Sequence, residues 1–120
     1  MSWLVELTDE CKAWWDGLDG DQQVSVGAVI DLLESQGPTL PFPYSSGIKG
    51  SKYSHMRELR IQHGGQPYRM LYAFDPRRAA IMLLGGEKTG EGNRWYEWAV
   101  PQADRLYDEH LDTLKREREI

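Results

Sequence analysis

The residues of this sequence best suited to chemistry lie in one short stretch, "HMRELRIQHGGQPYRMLYAFD", residues 55–75. Two runs alternate apolar with polar or basic residues around Gly64-Gly65, the pattern of a β-hairpin. The hairpin carries Arg57, Arg60 and Arg69, with Arg77 and Arg78 just beyond, and His55 and His63 flank its first run. Guanidinium groups bind phosphates, and the nearby tyrosines and tryptophans suit stacking on splayed bases. The same groups suit metal-free cleavage of RNA. A base takes the proton of a ribose 2′-OH, the oxygen attacks the adjacent phosphorus, and an acid protonates the leaving 5′ oxygen. Fixed cations stabilise the charge that builds on the phosphate. A site that only binds would carry the same residue types, and arginines on solvated strand faces would look no different.

The surrounding chain makes this cluster unusual. The 120 residues carry a net charge of −5, which argues against a uniformly basic nucleic-acid binder. Residues 1–46 hold one Lys against eight Asp or Glu, a local charge of −7. Residues 47–78 hold seven Lys or Arg against Glu58 and Asp75, a local charge of +5. The hairpin is a basic island in an acidic chain.

Other chemistries find less support. His55, His63 and His110 are scattered, and neither a Cys pair nor an H-x-x-x-H spacing is present, so no metal is expected. Cys11, the only cysteine, falls on an apolar helical stripe, where a buried inert thiol is the usual case. "LLGGEKTGEGNR" is glycine-rich after a strand but lacks the spacing of a phosphate-cradling P-loop. No cofactor is implied.

The elements that must position the arginines read as follows. "WLVEL", Trp3 to Leu7, alternates as an opening strand. Thr8 or Asp9 caps a short helix with Cys11, Trp14, Trp15 and Leu18 on one stripe, so both tryptophans are expected in the core. Asp19 and Gln22 have capping-box spacing for a second helix, which should end near Gly37-Pro38. "GPTLPFPYSSG" reads as a loop. Strands are predicted at about 56–63, 67–74 and 79–85, and a final helix from about Val100, with Pro101 in its first turn. The order β-α-α-β-β-β-α argues an α+β fold in a single domain, 1–120, with a mainly antiparallel sheet. No run is long and apolar enough for a membrane helix, and "MSWLVELTDE" lacks the features of a secretory leader, so a cytoplasmic protein is expected.

Taken together, "MRELR", "YRMLYAF", "IMLLGGEKTG" and "RWYEWAVPQAD" resemble the RelE/ParE toxin superfamily of type II toxin–antitoxin modules, in its phage-derived HigB-like branch. The resemblance covers nearly the whole chain and implies a RelE-like fold, with two N-terminal helices on the sheet and a C-terminal helix. It implies an endoribonuclease that cuts mRNA on the ribosome and a cognate helix-turn-helix antitoxin. The family's "YR" arginine matches Arg69, implied to stabilise the scissile phosphate; an ion pair with Glu58 across the hairpin is the structural alternative. The basic loop after the last strand matches Lys88 and Arg94, and the aromatic hydroxyl beyond it matches Tyr96, an acid or base. Arg57, Arg60, Arg77 and Arg78 would form an outer ring against RNA. Where several members carry lysines on the first hairpin strand, this chain has Met56 and Glu58 with Arg57 between, which leaves the base open, with His55 and His63 as stand-ins. The ParE branch shares the fold and inhibits DNA gyrase without cutting RNA. A protein-binding toxin and an inactive toxin-fold partner are therefore the alternatives.

Overall fold

The computed structural model describes residues 2–90 and 92–120. In chain order the elements are β1 (Val5–Leu7), α1 (Asp9–Asp16), α2 (Gly20–Gln36), a single 3₁₀ turn (Gly37–Thr39), β2 (Ser45–Gly47), β3 (Arg57–His63), β4 (Gln66–Phe74), β5 (Ala80–Glu87) and α3 (Arg94–Arg116). The sheet order is β1-β5-β4-β3-β2. β2–β3, β3–β4 and β4–β5 pair antiparallel, and β1 runs parallel to β5.

Local signals account for the first half. The Thr8 hydroxyl accepts from the Cys11 amide at 3.0 Å and donates to the Leu83 carbonyl at 2.7 Å, so one side chain caps α1 and ties it to β5. Asp19 and Gln22 form a reciprocal capping box at the start of α2. A sheet with apolar residues on both faces must be covered twice. Helices α1 and α2 cover one face over Leu59, Ile61, Tyr68, Met70, Tyr72 and Met82. Helix α3 covers the other over Leu71, Ala73, Ile81 and Leu83. Cys11 is fully buried in the first core, where burial pushes its thiol up to about 12, an inert setting.

Gly85 and Gly86 allow the helices to approach so closely. A β-carbon on Gly85 would lie 2.3 Å from the Trp14 ring of α1, and one on Gly86 would lie 2.6 Å from the Trp95 indole of α3. Adjacent strand residues face opposite sides, so the pair lets one tryptophan press on each face. Trp14 and Trp15 both pack against the first core, as their spacing predicts.

The structure departs from the sequence reading in two places that matter to the site. The predicted loop after α2 contains β2, which extends the sheet beyond β3. Helix α3 begins at Arg94, not near Val100, and Pro101 sits inside it. The carbonyl that Pro101 leaves without a donor belongs to exposed Glu97 and can be hydrated. Trp95, Ala99 and Ala103 continue the buried stripe of α3 toward its N-terminus.

Candidate active site

The hairpin register places Arg60 opposite Arg69 and Glu58 opposite Leu71. Strand alternation turns Glu58, Arg60 and Arg69 to the α3 side of the sheet, while Arg57, Leu59, Ile61 and Tyr68 face the α1–α2 side. Helix α3 covers Leu71 and Ala73, and its first turn brings Tyr96 over the arginines.

Glu58 is the hub. Its carboxylate accepts from the Tyr96 hydroxyl at 2.5 Å, from the Ser46 hydroxyl at 2.8 Å and from Arg60 Nη1 at 3.1 Å. Arg69 Nε lies 3.6 Å from the same carboxylate, within ion-pairing range but beyond a hydrogen bond. Arg69 Nη1 donates to the Tyr68 carbonyl at 3.0 Å. Arg69 and Glu58 are each 4% exposed. Arg69 Nε is a buried donor with no hydrogen-bond partner among the described residues. Such an orphan is costly in a fold and is the kind of group an anionic ligand satisfies. Burial pushes the Tyr96 phenol up to about 12. The hydrogen bond to Glu58 and its charge add to this, and Arg69 offsets part of it. Tyr96 therefore carries its proton at neutral pH and is equipped to donate.

The cluster sits between two openings. On one side, a cleft of about 410 Å³ is lined by Gly47, Ile48, Lys49, Glu58, Asn93 and Tyr96. On the other, a cavity of about 350 Å³ reaches Arg60 and Arg69 past Pro43, Tyr44 and Ile61. Lys88 lies at the lip with Nζ 5.5 Å from the centre of the Tyr96 ring. Arg94 opens α3 with its side chain exposed.

The other candidates lie elsewhere. His55 Nε2 is 3.3 Å from the Tyr107 hydroxyl, against the middle of α3. His63 Nδ1 is 2.7 Å from the Ser25 hydroxyl, on the α2 side. Arg57 Nε donates to Ser45 Oγ at 2.9 Å on that same side. Arg77, in the β4–β5 turn, pairs with Glu6 at 2.8 Å and Asp75 at 2.9 Å. Arg78 lies over the Trp3 ring at 5.2 Å. The structure thus brings Arg60, Arg69 and Tyr96 together, with Lys88 beside the Tyr96 ring, and leaves Arg94 exposed two residues before Tyr96 on α3. His55, His63, Arg57, Arg77 and Arg78 lie outside this group. Glu58 enters the site as its centre. Its signal in the sequence was the i, i+2 spacing with Arg60, which puts both on one strand face. Ser46 carried no signal, because β2 was not predicted. Among the described residues, no group of three or more His, Cys, Asp or Glu side chains is placed to hold a metal ion.

Comparison with known proteins gives the chain its family and its fold. Residues 13–108 match the family described as phage-derived protein Gp49-like. The chain is 44% identical over 107 residues to HigB3, a candidate toxin of Mycobacterium tuberculosis, covering 89% of this chain and 92% of that protein. It is 38% identical over 112 residues to HigB2, a candidate toxin of the same organism, covering 92% of this chain and 55% of that protein. The chain therefore spans about half the length of HigB2 and nearly all of HigB3. Among solved structures, free Escherichia coli toxin RelE superposes with a TM-score of 0.59 at 14% identity, covering 85% of this chain and 98% of that one. The RelBE2 toxin–antitoxin complex of M. tuberculosis gives a TM-score of 0.55 at 15% identity, covering 72% and 99%. The RelE–RelB complex of Pyrococcus horikoshii gives 0.54 at 14% identity, covering 75% and 99%. At these identities the structures speak for the fold. The RelE-type fold and the HigB relatives agree with the family match, which makes this chain a member of the phage-derived Gp49-like, HigB-like family, as its motifs suggested.

Proposed function

We propose that this protein is the toxin of a type II toxin–antitoxin module and acts as a ribosome-dependent mRNA endoribonuclease. The observation that carries the reading is the Glu58–Arg69–Tyr96 cluster: a carboxylate and a protonated phenol that line one cleft, beside a guanidinium with an unsatisfied buried donor that is reached from the other opening. Kinship to candidate toxins supports the biological setting, and the RelE-fold neighbours that are toxin–antitoxin complexes support an antitoxin partner. A ribosomal target implies action in the cytoplasm. Among the described residues, no helix is long and apolar enough to cross a membrane.

In this mechanism Glu58 accepts the proton of the ribose 2′-OH. The 2′ oxygen attacks phosphorus, the P–O5′ bond breaks, and Tyr96 donates its proton to the departing 5′ oxygen. The products are a 2′,3′-cyclic phosphate and a free 5′-OH. Arg69 neutralises the phosphate oxygens as charge develops, and Lys88 and Arg94 hold the flanking backbone. With no substrate the acid and base hydrogen-bond to each other. Entry of a phosphate beside Arg69 separates them and frees both for their roles.

The test is induced expression with mapping of mRNA 5′ ends and growth, for wild type and Arg69→Ala. Cleavage and arrest that both require Arg69 support the reading. Arrest with intact mRNA would replace it with a toxin that acts on a protein target, gyrase being one. No arrest at all would point to an inactive partner protein.

A further inference from the structure

The cleft above Glu58 continues into a second cavity of about 290 Å³, lined by Lys49, Gly50, Tyr96, Glu97, Val100 and Pro101. The two share Lys49 on one wall and Tyr96 on the other, and so form one groove between the segment at residues 47–50 and the first turns of α3. Lys49 is the only cation among the described residues lining either cavity. It is exposed and makes no ion pair with a described residue. At the far end the exposed Pro101 ring, with buried Val100 beneath it, offers an apolar surface to a base, and Glu97 adds a carboxylate to the lining.

The wall that carries Lys49 is strapped to α3. Ser51 Oγ donates to Asp104 at 2.5 Å, and the Lys52 amide donates to the same carboxylate at 3.1 Å. One helical turn further on, Asp108 accepts from Lys52 Nζ at 2.7 Å and from the Tyr53 hydroxyl. The Tyr53 ring packs edge-on against Tyr107 at 4.7 Å. Asp104, Asp108 and Tyr96 belong to one helix, so the strap ties the wall that carries Lys49 to the wall that carries Tyr96.

We propose that this groove is the subsite for the nucleotide next to the scissile phosphate, with Lys49 binding its phosphate and Pro101 facing its base. Asp104 and Asp108 are positioning residues that hold Lys49 across from Tyr96. The inference rests on the endoribonuclease reading and adds a specific binding residue to it.

The experiment uses ribosomes programmed with mRNA whose A-site codon carries 2′-O-methyl riboses, which can be bound but not cut. Lys49→Met should weaken binding of the protein about tenfold and lower the slope of log affinity against log salt by about 0.7–1, the signature of one lost phosphate contact. Lys49→Arg should restore most of the affinity. On unmethylated mRNA, Lys49→Met should raise KM and leave kcat unchanged, whereas Arg69→Ala lowers kcat. The double variant Asp104→Asn, Asp108→Asn should weaken binding in the same direction and speed hydrogen exchange of the amides at residues 49–53. Wild-type affinity and salt slope in Lys49→Met would overturn the subsite while leaving the endoribonuclease reading intact. Wild-type affinity in the double variant would overturn the positioning role alone. If the wild-type protein neither binds nor cuts programmed ribosomes, the endoribonuclease reading fails and the subsite with it.

Discussion

At the scale of single residues, Glu58 and Arg69 are coupled, and the variants that probe them must respect that. Glu58→Ala would leave the Arg69 guanidinium buried without its counter-charge, which typically costs about 3–5 kcal/mol of stability and would confuse catalysis with folding. Glu58→Gln removes the same charge but keeps the volume and a hydrogen-bond acceptor for Arg60, Ser46 and Tyr96, so it is the milder variant, and it cannot take a proton. It should lower cleavage by about 10²–10⁴-fold, the usual worth of a positioned general base. Arg69→Ala should cost about 10²–10³-fold, as expected for one charge-stabilising group. Single-turnover cleavage measured beside thermal melting separates the two effects. A folded Glu58→Gln variant that cuts at the wild-type rate would remove Glu58 from the mechanism. The arginines beside these residues differ by what holds them. Arg60 shares the Glu58 carboxylate, whereas Arg77 is held between Glu6 and Asp75 at the other end of β4.

At the scale of elements, β5 is the strand on which both helical layers rest. Gly85→Val should destabilise the fold by about 1–3 kcal/mol through overpacking, because the new side chain meets the Trp14 ring. A melting midpoint equal to wild type would show that α1 yields without cost. The β4–β5 turn has a pH-sensitive anchor. Burial pushes the Asp75 carboxyl up. Hydrogen bonds from His110, the Ala79 amide and Arg77, with the charge of Arg77, more than reverse this and hold it below its usual value. A carboxyl with a lowered folded pKa stabilises the fold above its unfolded pKa, about 3.9, and that stabilisation is lost as pH falls through the folded value. Asp75→Asn should therefore be less stable than wild type at neutral pH, with the gap narrowing below about pH 4. Thermal melts between pH 2 and 7 check this, and a gap that widens in acid would refute the assignment.

For the whole molecule, the basic middle of the chain does not make one continuous basic face. Its strand arginines divide between the two faces of the sheet, and the cations beside the cleft are Lys49 in its lining and Lys88 against the Tyr96 ring, with Arg94 exposed at the start of α3. Lys88→Glu and Arg94→Glu should each weaken ribosome binding and flatten its salt dependence, as expected when a phosphate contact is replaced by repulsion. Arg77→Glu should leave that dependence unchanged and lower the melting temperature, since it breaks two ion pairs. Affinities across a salt series, with melts of the same variants, distinguish these outcomes. The reverse pattern would move the nucleic-acid face to the β4–β5 turn.

What the sequence determined by itself was local. The Thr8 cap, the Asp19–Gln22 box and the alternation around Gly64-Gly65 depend on neighbours within a few residues, and each is present as predicted. The start of α3 was not legible, because Pro101 mimics a first turn while the stripe that begins at Trp95 gains its meaning only from the sheet it covers. Strand β2 was not legible either, since three residues of "SSG" form a strand only because β3 offers them an edge. The site lay between these extremes. Arg69 and Tyr96 were visible through family motifs. Glu58 was legible as a partner for Arg69, but its central place was decided by tertiary structure. An arginine's role depends on the carboxylate it meets, and the pairings of Glu58 with Tyr96 and Arg77 with Glu6 join residues far apart in the chain.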